Sequence, residues 1–345
     1  MIENQKKKFP TVVDKWQILC YTQCKNTSTR KWNVRILSLF DGISCGYLAL
    51  ERANIEVSEY YAYEIDPQAI QISKNNFPQI IQCGSVIGED FSKYKDIDIL
   101  LAGSPCQGFS SSGKGLNFDD PRSQLFFEFV RALREVKPKY FLLENVNMRR
   151  EWRDIITEYV GVEPYLFNSA LVSAQNRQRL YWTNIPNVKI PKNREIKLSD
   201  IIEDTSLGSP LYKACIVGRR IDSSGHRDDY NHSVPITQCL EVRATNITKS
   251  NCITTVGKDN VLTPLPPGRY IDAFKNKLPF RYYTTTELER LQTLPDGYTR
   301  GVPEMARRKA IGNAWTVDMI AHILSGLNQC EETEIKNKVE RINLW

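Results

Sequence analysis

Four short apolar runs, rich in β-branched and aromatic residues, recur through the first half of the chain, and helical patterns fill the gaps between them. Each run ends in a loop that contains glycine, proline, aspartate or asparagine. Alternating helices and near-continuous apolar strands are typical of a parallel, doubly wound α/β sheet, whose functional residues lie at the carboxyl ends of its strands. The predicted strands are residues 34–40, 60–65, 97–102 and 140–143, and the clearest predicted helix is 123–136.

The strand–helix alternation does not continue past residue 186. Closely spaced prolines without a long amphipathic pattern predict a second, smaller domain of loops and strands over 187–280. Helical periodicity returns over 284–294 and 307–327, so we expect the chain to re-enter the first domain. The predicted order is a basic N-terminal extension (1–33), the first domain (34–186), the second domain (187–280), a return to the first domain (281–330) and a charged C-terminal tail (331–345).

Positive charge is unevenly distributed along the chain. The 345 residues carry a net charge of +6, with net +5 in 1–33, −3 in 34–186 and +4 in 187–280. A weakly acidic body flanked by basic segments suits a catalytic domain with attachments that contact a polyanion. An ordinary solvated surface has the same composition, so charge alone leaves the partner open.

The sequence also argues against a membrane, a disulfide framework and a metal site. No run approaches the ~18 apolar residues of a membrane helix, and the lysine-rich first residues lack the apolar stretch of a signal peptide. We therefore expect a cytoplasmic protein, or a nuclear one in a eukaryote. Nine cysteines, an odd number, predict reduced thiols. Cys20 and Cys24 have no second Cys/His pair at zinc-ligand spacing.

Two of the predicted strand ends carry features of a nucleotide site. The first strand leads into FDGISCG at 40–46, where glycines would let the backbone approach a ligand, although a plain tight turn would use the same residues. The second strand ends at Glu64, an acid placed to accept hydrogen bonds from ribose hydroxyls. Together these features predict an adenosine-containing cofactor, either a dinucleotide or S-adenosylmethionine.

The next two strand ends carry a thiol and a carboxyl group. Cys106 follows the third strand in the run GSPCQ at 103–107, and Glu144 follows the fourth in the run ENV at 144–146. A lone cysteine is more often a buried apolar residue, but a strand-end loop stiffened by proline favours a nucleophile. A carboxyl group at the mouth of an apolar strand would have its pKa raised toward that of a general acid. The pair predicts a nucleophile and an acid beside the cofactor.

Four runs in this order and spacing, GSPCQ at 103–107, ENV at 144–146, QNRQR at 175–179 and GN at 312–313, resemble the motifs of the DNA cytosine-5 methyltransferases that use S-adenosylmethionine. The resemblance covers about 34–186 and 281–327. The chain resembles bacterial and phage members of this family, and the runs FDGI and GNAW also resemble its animal de novo branch. It implies a Rossmann-like methyltransferase domain with a smaller target-recognition domain at 187–280.

The resemblance implies a covalent mechanism. Cys106 would add to carbon 6 of cytosine while Glu144 hydrogen-bonds or protonates ring nitrogen 3, and carbon 5 would then take the methyl group. Arg179 would contact oxygen 2 of the ring, with Arg177 nearby; a surface ion pair is the alternative for these arginines. The target base would have to rotate out of the duplex to reach the thiol.

The resemblance also implies the cofactor residues. The family's usual Gly-Asp in the adenine region is replaced by Gly84-Ser85, which leaves open whether Ser85, a carboxylate such as Asp90, or packing alone holds the adenine. The implied cofactor residues are Phe40, Asp41, Gly42, Ile43, Ser44, Cys45, Gly46, Glu64, Ile65, Ser85, Val86, Pro105, Leu125, Asn313, Ala314 and Trp315.

Duplex DNA is the implied partner, together with a cognate restriction endonuclease if the enzyme belongs to a restriction-modification pair. Residues 251–256 resemble a threonine-containing strand beside the flipped nucleotide. Arginines of 187–280 are candidates for reading bases, with a plain solvated loop equally possible for each. The candidate DNA-binding residues are Gln107, Ser110, Arg219, Arg220, Arg227, Arg243, Thr254 and Thr255.

Three other functions compete with this interpretation. A tRNA cytosine methyltransferase would share the fold and chemistry, although some ninety residues of recognition domain favour duplex DNA. A catalytically silent accessory protein would not need to keep Cys106, Glu144 and Arg179. A nicotinamide-dependent dehydrogenase is disfavoured because the chain lacks Gly-x-Gly-x-x-Gly.

Overall fold

A computed structural model describes residues 33–104, 121–208, 210–243 and 248–328, with the backbone alone at 121–123. Its larger sheet has seven strands in the order β3-β2-β1-β4-β5-β7-β6. Strands β1 to β5 pair in parallel, whereas β7 is antiparallel to both β5 and β6. The strands are β1 (Asn33–Leu39), β2 (Glu56–Tyr63), β3 (Ile81–Gln82), β4 (Ile99–Gly103), β5 (Tyr140–Val146), β6 (Tyr165–Asn168) and β7 (Gln178–Thr183).

Helices cover both faces of this sheet. One apolar core joins the sheet to α1 and α7 through residues such as Ile36, Leu50 and Ile320, and a second joins it to α3 through Leu100 and Phe129. Two buried faces explain why the central strands are apolar at nearly every position. The helices are α1 (Cys45–Arg52), α2 (Pro67–Asn76), α3 (Pro121–Val136), α4 (Arg150–Val160), α5 (Thr285–Leu291), α6 (Glu304–Asn313) and α7 (Val317–Leu324).

A separate antiparallel sheet of five strands, in the order β11-β9-β8-β10-β12, follows in the chain. Ala214, Ile216, Leu240 and Val261 form its small apolar core. The described part of 187–280 contains strands and short 3-10 turns but no α-helix, as the sequence predicts for this region. The strands are β8 (Tyr212–Arg220), β9 (Ile236–Val242), β10 (Val261–Thr263), β11 (Gly268–Tyr270) and β12 (Arg281–Tyr282).

The predicted doubly wound α/β fold is confirmed, with differences at element ends. Strand β2 begins at Glu56 and ends at Tyr63, so Glu64 lies one residue past it. Strand β5 continues to Val146 because its last residues pair with β7, which places Glu144 inside the strand. The predicted helix over 307–327 is two helices, since the extended backbone of Ala314 interrupts it.

The predicted strand over 251–256 is wrong. This segment has no ladder pairing in the structure; the neighbouring Ser250 makes a single bridge to Gln175. Side chains replace strand partners here, because the Gln175 amide oxygen accepts the backbone N–H of Ile253 at 2.9 Å and Arg177 donates to its carbonyl oxygen at 3.0 Å. Backbone groups satisfied in this way need no neighbouring strand. We therefore call residues 251–256 the strap.

Candidate active site

The turn between β1 and α1 has an unusual backbone. Phe40, Gly42 and Ser44 all have positive φ angles, of 57°, 61° and 59°, which is rare for a residue as bulky as phenylalanine. A Cβ atom at Gly42 would meet no other atom within 4 Å, so the turn borders open space. Such backbone is held by its surroundings and clusters at functional sites.

Asp41 holds this turn in place. Its carboxylate accepts hydrogen bonds of 2.6 Å from the hydroxyls of Ser38, Ser44 and Tyr60. Burial raises the pKa of the Asp41 carboxyl, and the three hydroxyl donors partly offset that effect. The Asp41 carboxylate is therefore already hydrogen-bonded to protein groups. Its contribution to a ligand site is to fix the shape of the turn.

Glu64 joins the first two strand ends. Its carboxylate accepts the backbone N–H groups of Gly42 at 2.9 Å and of Ile65 and Asp66 at 2.8 Å. Ile65 beside it is 73% exposed, an unusual position for a large apolar side chain at a strand end. An acid and an exposed apolar surface at one strand end suit a ribose and a flat base.

The region predicted to hold an adenine contains Ser85, Val86 and Asp90. Val86 is buried in the core that also contacts the half-buried Phe40 and Leu125. The Ser85 hydroxyl accepts the N–H of Ile87 at 3.1 Å. Asp90 caps a short 3-10 helix by accepting the N–H of Ser92 at 3.0 Å. The Ser85 hydroxyl and the Asp90 carboxylate both have local partners, which favours apolar packing as the main interaction with an adenine.

Glu144 is the central acid of the site. It is 8% exposed, and its Oε1 lies 3.0 Å from the Arg179 guanidinium. Its Oε2 accepts the indole N–H of Trp315 at 3.2 Å. Burial is the largest single effect and lowers the pKa of Arg179, but the charge of Glu144 together with interactions with Cys252 and Tyr181 raises the pKa overall. The structure therefore brings together the predicted acid and one predicted arginine.

Asn145 ties the end of β5 to the end of β4. Its amide donates to the Ser104 hydroxyl at 3.0 Å, and Ser104 is buried two residues before Cys106 in the sequence. Strands β4 and β5 pair with Gly103 opposite Glu144. Pro105, Cys106, Gln107 and Ser110 lie outside the described residues, so the predicted nucleophile is placed only by the strand that leads to it.

Arg177 is buried close to Arg179 and Glu144. It is 4% exposed and donates to the backbone carbonyls of Ile253 and Ala314, at 3.0 and 3.1 Å. Burial and the charge of Arg179 lower its pKa. A guanidinium that joins two backbone segments can hold them in place beside Arg179.

The loop between α6 and α7 closes one side of the site. Asn313 is exposed, Ala314 is buried and Trp315 is half-buried. A Cβ atom at Gly312 would lie 2.6 Å from the carbonyl oxygen of Thr254, so only glycine lets the strap approach this closely. The third and fourth sequence motifs and the strap therefore meet at one edge of the site.

Four of the six candidate DNA-binding side chains that the structure describes have partners within the protein. Arg219 makes two hydrogen bonds with Glu241, at 2.9 and 3.2 Å. Thr254 donates to Asp259 at 2.6 Å. Arg243 and Thr255 are exposed. The remaining two arginines have local contacts, Arg220 with the carbonyl of Val234 and Arg227 with Asp229.

Sequence reasoning missed two side chains of this site. Gln292 is fully buried, and its amide donates to the carbonyls of Ile311 and Ala314 at 3.0 and 2.8 Å. The Cys252 sulfur lies 3.5 Å from an Arg177 nitrogen and 3.8 Å from an Arg179 nitrogen. Gln292 sits at the end of an ordinary amphipathic helix, so no sequence signal could have found it. Cys252 belongs to the segment predicted as a strand.

Four of the five described thiols are poor candidates for the nucleophile. Burial raises the pKa of the Cys45 thiol to about 12 and also raises those of Cys83, Cys215 and Cys239. A thiolate is the competent nucleophile, so these cysteines would be unreactive at neutral pH. All of them are free, as is Cys252.

The described residues contain neither a metal-binding cluster nor a membrane-spanning helix. No cluster of three or more His, Cys, Asp or Glu side chains that could hold a metal ion occurs among them. None of their helices is long and apolar enough to cross a membrane.

Residues 34–329 match the family described as C-5 cytosine-specific DNA methylase. The chain is 30% identical over 318 residues to the type II methyltransferase M1.ScrFI of Lactococcus lactis subsp. cremoris, with 86% of this chain and 78% of the relative covered. It is 28% identical over 339 residues to the type II methyltransferase M.Eco47II of Escherichia coli, with 85% and 80% covered.

Solved structures share the fold. The methyltransferase EhMeth of Entamoeba histolytica superposes with a TM-score of 0.61 at 17% identity, covering 86% of this chain and 98% of that one. The Dnmt2 methyltransferase of S. pombe superposes with a TM-score of 0.56 at 19% identity, with the same coverage.

Proposed function

Since the chain belongs to the C-5 cytosine-specific DNA methylases and is a DNA cytosine-5 methyltransferase, we propose that it methylates a flipped-out cytosine in a specific duplex sequence through a covalent Cys106 adduct. The observation that carries this proposal is the buried Glu144 carboxylate, held by Arg179 and Trp315 beside the strand that leads to Cys106. The relatives described as type II methyltransferases support DNA as the substrate over tRNA and over a silent accessory role.

The proposed reaction begins at carbon 6 of the target cytosine. The Cys106 thiolate adds to this carbon while Glu144 donates a hydrogen bond or a proton to nitrogen 3, which moves electron density onto carbon 5. Carbon 5 takes the methyl group, loses its proton to a base, and the thiolate then leaves as the carbon 5–carbon 6 double bond re-forms. The ring must lie against the thiol, so the base has to leave the stack.

Arg177 and Arg179 have different roles in this proposal. Arg179 is fixed beside Glu144 and keeps one face toward the site, with its side chain 14% exposed, which suits a contact to oxygen 2 of the ring. Arg177 is enclosed and bonds to the strap and to the α6–α7 loop. We propose that Arg179 contacts the base and that Arg177 positions the segments around it.

S-adenosylmethionine would supply the methyl group. The open space before Gly42, the Glu64 carboxylate and the exposed Ile65 fit a methionine end, a ribose and an adenine in that order along the strand ends. The carboxylate has about four acceptor positions and three backbone N–H groups already use some of them. Ribose binding would therefore require Glu64 to share or exchange these bonds.

Residues of 187–280 would recognise the DNA. The exposed Arg243 and Thr255 are the direct candidates for contacts to DNA. Arg219 shares the Glu241 carboxylate with Arg269, so this cluster would keep one net positive charge toward DNA. Because relatives are described as type II methyltransferases, a cognate restriction endonuclease is the proposed biological partner.

The test is trapping of the covalent intermediate. Bisulfite sequencing of plasmid DNA from cells that express the protein first finds the recognition sequence. A duplex with 5-fluorocytosine at the target should then yield, with S-adenosylmethionine, a complex that survives denaturing electrophoresis, since fluorine cannot leave as a cation. Cys106→Ala should abolish the complex and methylation while cofactor binding persists. Mapping of the adduct to another cysteine would overturn the assignment, and labelling of RNA instead of DNA would favour the tRNA alternative.

A further inference from the structure

The Trp315 indole fills a space lined by Gly103 at the end of β4 and Gly46 in the first turn of α1. A Cβ atom at Gly103 would lie 2.8 Å from the indole nitrogen, and one at Gly46 would lie 3.5 Å from the ring. Gly103 also pairs with Glu144 across β4 and β5. The ring therefore lies directly between the β1–α1 turn and the acid of the site.

The indole nitrogen donates to Glu144 at 3.2 Å, on the oxygen that Arg179 does not use. Each carboxylate oxygen thus has its own donor, one from β7 and one from the α6–α7 loop. An N–H aimed at a carboxylate fixes its plane and stabilises its charged form.

The loop that carries Trp315 is itself held in place. The Ala314 carbonyl oxygen accepts hydrogen bonds from Arg177 at 3.1 Å and from Gln292 at 2.8 Å. The backbone N–H of Trp315 faces the buried sulfur of Cys45, at the start of α1. These contacts leave the indole little freedom to turn away from Glu144.

We propose that Trp315 is a positioning residue for Glu144, in addition to its expected place in the cofactor pocket. Its N–H orients the carboxylate toward the target ring and couples it to the loop that closes on the cofactor. The inference rests on the proposed role of Glu144 as acid. Among the described residues, the charged or titratable groups that interact with this carboxylate include Arg177, Arg179 and Tyr181.

Trp315→Phe tests the proposal because it keeps an aromatic ring while it removes the N–H together with part of the indole. The variant lacks a hydrogen bond that stabilises the charged carboxylate, so the alkaline limb of the kcat–pH profile should move up by about 0.5–1 pH unit. The plateau kcat should fall about tenfold because the carboxylate is no longer oriented. The dissociation constant of S-adenosylmethionine, measured by calorimetry, should stay within about twofold.

Trp182→Phe is the matched control. Its indole N–H donates to Thr157 at 3.0 Å on the opposite side of the sheet, so the same substitution removes an equivalent hydrogen bond away from Glu144. It should leave the position of the alkaline limb and the plateau kcat as in the parent. A limb that moves equally in both variants would show a general loss of stability and overturn the proposal.

Gly103→Ala gives a second route if Trp315→Phe does not fold. The three atoms closest to the added methyl group all belong to the Trp315 ring, at 2.8 to 3.2 Å, so it should push the indole from Glu144 and move the limb in the same direction. An unchanged profile in the folded Trp315→Phe variant, or a change confined to cofactor affinity, would contradict the proposal. If the parent itself transfers no methyl group to DNA, it is the proposed function that fails.

Discussion

Arg179 and Glu144 lie diagonally across an antiparallel strand pair, with 3.0 Å between the guanidinium Nε and the carboxylate Oε1. Arg179 is opposite Val146 in the β5–β7 register, and Tyr181 is opposite Glu144. Both side chains of the ion pair are largely buried, where removing one partner leaves an uncompensated charge. The pairing therefore fixes the position of the acid.

Glu144→Gln should abolish most methyl transfer without preventing folding. Glutamine keeps the size of the side chain but cannot supply the proton, and general acid catalysis contributes about 10²–10⁴-fold. We expect a loss of kcat in that range, measured with labelled cofactor on the recognised duplex. Glu59→Gln is the control, because it disrupts a surface pair with Arg35 far from the site. Retention of more than a tenth of the parent activity would remove Glu144 from the mechanism.

Glu64→Ala should weaken S-adenosylmethionine binding by about 1.5–3 kcal/mol, the range for hydrogen bonds to a charged group. The variant loses both the acceptor for the ribose and the bonds that hold Gly42, Ile65 and Asp66. Calorimetry measures the affinity. The exposed Glu51 on α1 provides the control, since Glu51→Ala removes a carboxylate without such bonds. Parent-like affinity in a folded Glu64→Ala protein would exclude the assigned role.

The α/β class could be predicted because it follows from local patterns. Buried strands such as β4 are apolar at every position, and turn residues mark their ends. Glu144 was found because an acid in an apolar strand is conspicuous. The antiparallel placement of β6 and β7 could not be predicted, because short strands carry no sign of their direction.

The hydrogen-bond partners of Arg177 and Arg219 could not be predicted from the sequence, for a different reason. The Arg177 contacts join it to residues 76 and 137 positions away in the chain. Arg219 meets Glu241 only because β8 and β9 pair in a register that brings them together. Side-chain roles of this kind depend on tertiary packing, whereas a motif identifies only which residue types are present.

Cys45 should make the protein less stable in alkaline solution. Burial raises the pKa of this thiol from about 9 in the unfolded chain to about 12. Above pH 9 the unfolded state releases the proton and is thereby stabilised relative to the folded state. The stabilisation is complete below pH 9 and is lost toward pH 12. We expect the stability advantage of the parent over Cys45→Ala, measured by urea unfolding, to shrink by about 2–3 kcal/mol between pH 8 and 11. A pH-independent difference would mean that the thiol is not buried as described.

Gln292→Leu should destabilise the protein and loosen the closing loop. The Gln292 amide donates to Ile311 and Ala314, and its oxygen accepts from Gln175 at 3.1 Å and Thr316 at 2.9 Å. Leucine has similar size but leaves these buried groups with one partner fewer each, a cost of about 2–4 kcal/mol in the free energy of unfolding.

Urea unfolding of Gln292→Leu should be compared with Gln71→Leu, which removes only an exposed hydrogen bond to Asn75 on α2. The control should stay within about 0.5 kcal/mol of the parent. Because Gln292 holds the carbonyl of Ala314 and connects through Gln175 to the strap, the folded variant should also bind S-adenosylmethionine more weakly and turn over more slowly. A destabilised variant with parent-like cofactor affinity and kcat would limit Gln292 to a structural role, because the loop and the strap would then keep their positions without it.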